Sequence, residues 1–207
     1  MKRLFKTLVA LTLMTASAQA QLNFDQATER YFFAEDALNG SYLALGAATM
    51  GMSAYLVTRD SNYAKSAAYP LMAVGAIQFS TGVAFLFVNA AIQKDLLVRH
   101  KDAPQSTLKE EQRRMDGVNR LFPYYKTAEA LAALTGVGLI ALGRNDHDST
   151  LLGVGMGLCT AAIVQLGLEH MGAHIGGQYS KDLSSIQLSL GVGTMTLIGT
   201  FQTPLRC

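Results

Sequence analysis

The sequence has few charged residues and almost no cysteine, and each shortage excludes a class of protein. Charged residues make up 15% of the 207 residues, whereas a soluble domain usually carries about 25%. The two cysteines, Cys159 inside an apolar run and Cys207 at the end of the chain, differ too much in sequence position and expected depth to pair with each other. The chain is therefore not a disulfide-stabilised scaffold.

Excess charge of one sign is also missing. The formal net charge is +2, and three of the 17 lysines and arginines, Lys2, Arg3 and Lys6, lie in a segment that we expect to be removed. The remaining 14 basic residues are balanced by 15 acidic ones. A nearly neutral chain gives no electrostatic reason to bind nucleic acid, so no nucleic-acid partner is expected.

Catalytic patterns are a third shortage. No Ser-His-Asp, Cys-His or C-x-x-C arrangement occurs at a recognisable spacing. The glycines between Gly153 and Gly157 have the form G-x-x-x-G, but they follow no predicted strand and lie in an apolar run. They indicate helix packing and not a phosphate-binding loop. The sequence therefore favours a protein that is not an enzyme.

The first 20 residues have the pattern of a secretory signal. A basic start is followed by an apolar centre from Leu8 to Met14 and by small residues at Ala18 and Ala20. We expect cleavage after Ala20, which leaves residues 21–207 as a single membrane domain.

Apolar residues are abundant, at 50% of the chain, and they form long segments. About 20 apolar or small residues in a row are enough for a helix to cross a bilayer. The sequence predicts an all-α integral membrane protein with four spans, over residues 37–58, 67–92, 128–143 and 149–168. Short polar turns beginning at Arg59 and Arg144 join the spans into two hairpins.

Small residues recur at four-residue spacing within the first span. Gly40, Ala44 and Ala48 form one series, and Ala47 and Gly51 form another. Residues four apart lie on one side of a helix, and small side chains there let a second helix approach closely. This pattern predicts helix packing, including self-association of the protein into a homo-oligomer.

The polar linker, residues 93–126, separates the hairpins. Thr107 and Glu110 have the spacing of a capping box and Pro123 is expected to end the segment, which predicts an amphipathic helix along the membrane surface. Residues 186–201 alternate between apolar and polar or small residues at their start. Alternation favours a short extended tail over a fifth span, and the length of the segment leaves both readings open.

A cleaved signal predicts insertion into the bacterial inner membrane by the secretory pathway, with both termini outside the cytoplasm. The linker would then also lie outside. Its eight lysines and arginines conflict with the positive-inside tendency. We give the signal more weight, because it is a specific processing pattern and because acidic residues accompany the linker's bases.

One group of side chains suggests metal chemistry. His170 and His174 are four residues apart and Glu169 precedes them, so a helix would point the two imidazoles the same way. Glu129 at the start of the third span is expected at the same membrane face. These four residues are the candidate ligands for a metal ion or a haem. The alternative interpretation is hydrogen bonding and ion pairing where helices leave the membrane.

These patterns favour a non-catalytic structural, assembly or partner-binding component of the membrane. The alternative is a metal- or haem-binding redox or transport component with its site at the outer face. A third hypothesis, a small transporter, would need polar groups in the middle of the membrane, for which Gln78 and Gln165 are the candidates.

Overall fold

The structure is a computed structural model that describes the backbone of residues 23–200 and the side chains of residues 24–188. It contains four helices, α1 (Asn23–Val57), α2 (Asn62–Asp102), α3 (Pro104–Asn145) and α4 (Ser149–Thr200). Within residues 23–200 no strand occurs, which confirms the predicted all-α class. The expected signal, residues 1–20, lies outside the described residues.

Three helices, α2, α3 and α4, are long and apolar enough to span a membrane. Each helix runs antiparallel to the next in the chain, and the first and last lie side by side. The Thr28 hydroxyl of α1 is hydrogen-bonded to the Tyr179 hydroxyl of α4 at 3.1 Å. At the α1 N-terminus the Phe24 ring stacks on His100 of α2, with ring centroids 3.8 Å apart. The start of α1, the α2–α3 turn and the later part of α4 therefore share one end.

We call the half of the molecule at this shared end the terminal bundle, comprising residues 23–36, 90–102, 104–120 and 173–188. All four helices contribute to its core. The buried apolar residues are Phe24, Ala27, Tyr31, Phe32, Leu96, Leu108, Met115, Tyr179, Leu183 and Ile186. Charged residues cover much of its outer surface. The other half, which we call the apolar half, contains the turns beginning at Arg59 and Asp146.

The polar linker forms no separate helix. Residues 93–102 complete α2, and α3 continues without a break from Pro104 to Asn145. Pro104 opens α3 at a position where its missing N–H is harmless, and Thr107 Oγ1 donates to the Ala103 carbonyl at 2.9 Å. Leu108 and Met115 are buried in the terminal bundle. The predicted helix start and the predicted surface helix are therefore not confirmed, because protein and not lipid covers this apolar stripe.

Pro123 was expected to end a helix and does not. Phe122 contacts Gly172 of α4 on one side of the proline, and Gly136 contacts Gly155 of α4 on the other. Packing against α4 on both sides of Pro123 keeps α3 a continuous helix. This packing outweighs the local cost of the backbone hydrogen bond that the proline cannot donate.

The extended tail predicted for residues 186–201 is wrong as far as Thr200, because α4 continues to that residue. Tyr179, Leu183 and Ile186 are all buried in the terminal bundle. Their spacing is that of one face of a helix. Tertiary packing of this face outweighs the alternation that begins at Ile186.

The outward surface of the apolar half carries large apolar side chains. Exposed aromatic residues mark both of its edges. Phe87 and Tyr124 lie next to the terminal bundle and Phe33 lies just inside it, while Tyr55 and Tyr69 lie toward the opposite end. Along α2, Tyr69 and Phe87 are separated by roughly 27 Å at 1.5 Å per residue, close to the roughly 30 Å of a hydrocarbon layer.

Glycines bring the helices of the apolar half into backbone contact. A Cβ at Gly46 of α1 would lie 2.5 Å from the Phe79 amide nitrogen of α2. A Cβ at Gly157 of α4 would meet the backbone of Ala67 in α2. These close approaches fix the register of the helices and so determine which polar side chains meet.

Candidate functional site

Polar side chains from all four helices come together inside the apolar half. We call this group the polar cluster; its members are Tyr42, Gln78, Glu129, Gln165 and Glu169. Tyr42 belongs to α1, Gln78 to α2, Glu129 to α3, and the other two residues lie one turn apart on α4. The cluster is therefore set by the register of four helices and not by any local motif.

Hydrogen bonds connect most of the cluster. Gln78 Nε2 donates to Gln165 Oε1 at 3.0 Å. Gln165 Nε2 in turn donates to Glu169 Oε1 at 3.2 Å and to the Tyr42 hydroxyl oxygen at 3.3 Å. The Tyr42 hydroxyl donates to Glu169 Oε1 at 3.3 Å. Glu169 is thus the acceptor at the end of a chain of donors that begins on α2.

Two oxygen atoms of the cluster are buried without a donor. Among the described residues, neither Gln78 Oε1 nor Glu129 Oε2 has a hydrogen-bond partner. The Gln78 side chain is only 1% exposed. Buried polar atoms are normally paired, because an unpaired one costs about 1–3 kcal/mol. The cluster therefore has more acceptors than donors.

The four predicted metal ligands are divided by the structure. Glu129 and Glu169 lie near enough to interact electrostatically. His170 and His174 are exposed on α4, and His174 Nε2 lies 2.8 Å from Gln178 Nε2. Within residues 24–188, no three His, Cys, Asp or Glu side chains form a group that could hold a metal ion. The histidine-centred metal or haem site stays a prediction, and the two carboxylates instead meet Gln78 and Gln165.

Tyr42 is the member that sequence reasoning missed. It is a buried tyrosine within an apolar segment, next to Leu43 and three residues from Leu45. A tyrosine in a buried apolar position generally needs a partner for its hydroxyl. That signal was available, but the partner could not be identified without the register of α1 against α4.

The terminal bundle contains a second polar group, centred on an ion pair. Glu111 is 1% exposed, and its carboxylate accepts from Arg114 Nε at 2.8 Å and from Arg114 Nη2 at 2.7 Å. Arg114 lies above the Tyr31 ring at 5.9 Å, and Tyr31 stacks on Tyr179 with centroids 4.2 Å apart. We call these four residues the bundle ion-pair group.

Burial and charge pull in opposite directions on Arg114. Burial disfavours its charged form, but hydrogen bonding and attraction to Glu111 outweigh this and raise the pKa of the guanidinium. Burial, followed by the nearby Glu35 carboxylate, raises the pKa of Tyr31. Tyr31 therefore stays protonated while Arg114 and Glu111 stay paired, so the group holds helices together and offers no free acid or base.

His100 provides a titratable contact at the far end of the terminal bundle. Its ring stacks on Phe24, and burial lowers the pKa of the imidazole from its ordinary value of 6.5, while Asp25 acts in the opposite direction. The folded chain therefore binds a proton at His100 less readily than the unfolded chain does. As a result, the contribution of His100 to the free energy of unfolding is complete above about pH 6.5 and is lost as the pH falls through the lowered pKa.

We expect the thermal stability of the protein to fall between pH 7 and pH 5, and we expect His100→Phe to reduce this dependence. The phenyl ring keeps the stack on Phe24 but binds no proton. Thermal unfolding followed by circular dichroism at several pH values measures the effect. His174→Phe, at an exposed position on α4, is the control and should leave the pH dependence unchanged. Equal pH profiles for wild type and His100→Phe would contradict the assignment.

Comparison with protein-family models, curated proteins and solved structures gives no match to this chain. Its function must be inferred from its own residues.

Proposed function

We propose that the protein is a non-catalytic, four-span component of the bacterial inner membrane that assembles with copies of itself through α1. Three features support the proposal. They are the apolar outer surface of the apolar half, the separate buried core of the terminal bundle, and the exposed small-residue face of α1. The last of these carries the assembly role.

The position of α1 supports its inclusion as a fourth span. Gly46 of α1 lies against the backbone of Phe79 in α2, and Gly82 of α2 lies against the Asn39 carbonyl oxygen of α1. The two helices thus run side by side through the apolar half. If α2 crosses the bilayer, α1 lies at the same depth, and its backbone hydrogen bonds are satisfied within the helix as lipid requires.

The antiparallel order of the helices supports a topology with the terminal bundle, and therefore both ends of the mature chain, on one side. The predicted signal makes this the outer side. Two of the eight bases of the former linker are in ion pairs, and the first of these, Arg99, bonds Asp95 at 2.8 Å and Glu110 at 2.6 Å. Arg114 is similarly paired with Glu111. This pairing weakens the objection from the positive-inside tendency.

Cysteine labelling tests the topology. In a Cys159→Ser, Cys207→Ser background, Gln105→Cys lies in the exposed first turn of α3 and Asn145→Cys lies at the opposite end of that helix. We expect an impermeant maleimide to label position 105 in intact cells. Position 145 should react only after permeabilisation. The reverse pattern would invert the proposed orientation.

The small-residue face of α1 supports self-association. Gly40, Ala44, Ala47, Ala48 and Gly51 are all exposed, and a Cβ at Gly40 or Gly51 would have no atom within 4 Å. Most other glycines of the apolar half, such as Gly46 and Gly157, are in tight internal contacts, and the exceptions, Gly138 and Gly167, lie on α3 and α4. Small residues spaced by four on a lipid-facing helix allow two backbones to pack closely, which is how membrane helices associate without a hydrophobic driving force.

We expect Gly51→Leu and Ala48→Leu to weaken self-association by about tenfold or more, equivalent to about 1.4 kcal/mol, because a bulky side chain separates the two α1 helices. Energy transfer between labelled copies in lipid vesicles measures it. Gly138→Leu is the matched control, because Gly138 lies on α3 with no atom within 4 Å of its Cβ position. Equal association of all variants, or monomeric wild type, would refute the assembly role.

A further inference from the structure

We propose that a cleft between α3 and α4 in the terminal bundle binds a small organic cation through a primary ammonium group, with Asp116 as its counter-charge. The proposal is independent of the assembly role and of the polar cluster. The cleft has a volume of about 240 Å³. It is lined entirely by polar side chains, those of Gln112, Asp116, Ser180, Ser184 and Gln187.

The antiparallel register of α3 and α4 arranges these side chains in facing pairs. Asn119 Nδ2 of α3 donates to Ser180 Oγ of α4 at 2.7 Å, and this bond sets the register at one end of the cleft. Residues three or four apart lie on the same side of a helix, so each further turn brings another pair together. The pairs one and two turns farther along are Asp116 with Ser184 and Gln112 with Gln187.

The second and third pairs are open, in contrast to the first. Within residues 24–188 no ion pair includes Asp116, and no hydrogen bond joins Asp116 to Ser184 or Gln112 to Gln187. Ser184 Oγ instead donates to the Ser180 carbonyl oxygen at 2.8 Å. The gap therefore lies between polar groups that can each bond a molecule placed between them.

The charge and the hydrogen-bonding capacity of the cleft favour an ammonium group. The Asp116 carboxylate can only accept hydrogen bonds. The Ser184 hydroxyl has given its proton to the backbone, so its oxygen is free to accept as well. A primary ammonium supplies three N–H donors and no acceptor. Its bond to a carboxylate is charge-assisted and therefore stronger than a bond between neutral groups.

Other classes of ligand suit the cleft less well. No aromatic ring lines it, so it offers nothing to hold a quaternary ammonium. Hard metal ions gather several charged oxygens, and within residues 24–188 no three His, Cys, Asp or Glu side chains are grouped to hold one. An anion would meet Asp116 with no lysine or arginine in the lining. The volume is below the roughly 300–1,000 Å³ of drug-sized pockets, so the ligand must be small.

The cleft lies outside the lipid in the proposed membrane arrangement. Asp116 precedes the exposed Tyr125 by nine residues, roughly 14 Å along α3 on the side away from the apolar half. Asp116, Ser184 and Gln187 are all exposed. A dissolved amine can therefore enter the cleft from water.

Isothermal titration calorimetry of the purified protein with putrescine tests the proposal. The protein is held in phosphatidylcholine nanodiscs at about 0.15 M salt, which weakens unspecific attraction between surface charges. We expect saturable binding of one putrescine per chain and a higher unfolding temperature in its presence. Asp116→Asn keeps the shape of the side chain and should weaken binding by about tenfold or more. Ser184→Leu should weaken it as well, because the larger side chain fills the cleft.

A matched ligand and a matched variant complete the test. 1,4-Butanediol has the length of putrescine but hydroxyl groups in place of the ammonium groups, and it should bind at least about tenfold more weakly. Asp182→Asn removes an exposed carboxylate of α4 that does not line the cleft, and it should bind putrescine as wild type does. The proposal is overturned if wild type does not bind putrescine saturably, if Asp116→Asn binds as tightly as wild type, or if the diol binds as tightly as the diamine. An equal loss of binding in Asp182→Asn would also overturn it, because it would indicate general attraction to surface charge.

Discussion

Substitution of Gly157 by alanine is expected to destabilise the folded protein by about 2–3 kcal/mol, at the upper end of the cost of overpacking. The added methyl group would meet the Ala67 carbonyl, with the Ala67 Cα also 3.1 Å away. These are backbone atoms of α2, so no side-chain rotation can relieve the contact. The helices must separate, and the neighbouring contact of Gly153 with Tyr63 would loosen with them.

Gly167→Ala on the same helix is the control for this prediction. No atom lies within 4 Å of a Cβ at Gly167, so alanine there should be neutral or stabilising by up to about 1 kcal/mol, its advantage over glycine in a helix. Unfolding in detergent, followed by the loss of helical circular dichroism, measures both variants. If Gly157→Ala matched the control, the close packing of α2 against α4 would be incorrect.

Substitution of Glu111 by alanine is expected to destabilise the terminal bundle by about 3–5 kcal/mol, the usual cost of leaving a buried charge unpaired. Arg114 would lose both hydrogen bonds to the carboxylate, while its side chain remains two-thirds buried. The guanidinium would remain over the Tyr31 ring, 5.9 Å from its centroid, without the carboxylate that neutralises it. Chemical denaturation of the purified protein gives the change in free energy of unfolding.

Two comparisons make this prediction specific. Glu110→Ala removes an exposed partner of Arg99, which keeps its bond to Asp95, and should cost less than about 1 kcal/mol. The double variant Glu111→Leu, Arg114→Leu removes both charges and should recover most of the stability lost by Glu111→Ala. A double variant as unstable as the single one would show that the ion pair itself, and not the orphaned charge, supports the fold.

The apolar segments could be predicted from the sequence because lipid-length runs of apolar residues are a local signal. The terminal bundle could not. The stripe containing Leu108 and Met115 was visible, but an apolar stripe does not reveal whether lipid or another helix covers it. Here α1, α2 and α4 extend beyond their apolar segments alongside α3 and cover it. The same extension explains why Ile186 is helical although its surroundings alternate.

The polar cluster was predictable only in part, for a related physical reason. Gln78, Gln165, Glu129 and Glu169 were each identifiable as polar groups in or beside apolar segments. Their meeting depends on helix register, which backbone contacts such as Gly46 with Phe79 determine. Those contacts join residues far apart in sequence. The exposure of His170 and His174, on the outward face of α4, depends on the same register.

The bond between Thr28 and Tyr179 joins residues 151 positions apart, and this separation constrains the order of events during synthesis. Phe24 and Tyr31 leave the ribosome long before Tyr179 and Leu183, which complete their core. The aromatic rings of Phe24 and Tyr31 therefore stay uncovered until Tyr179 and Leu183 have been made. A stalled or shortened chain would keep these aromatic side chains exposed, and quality-control proteases could recognise the incomplete chain by this exposed apolar surface.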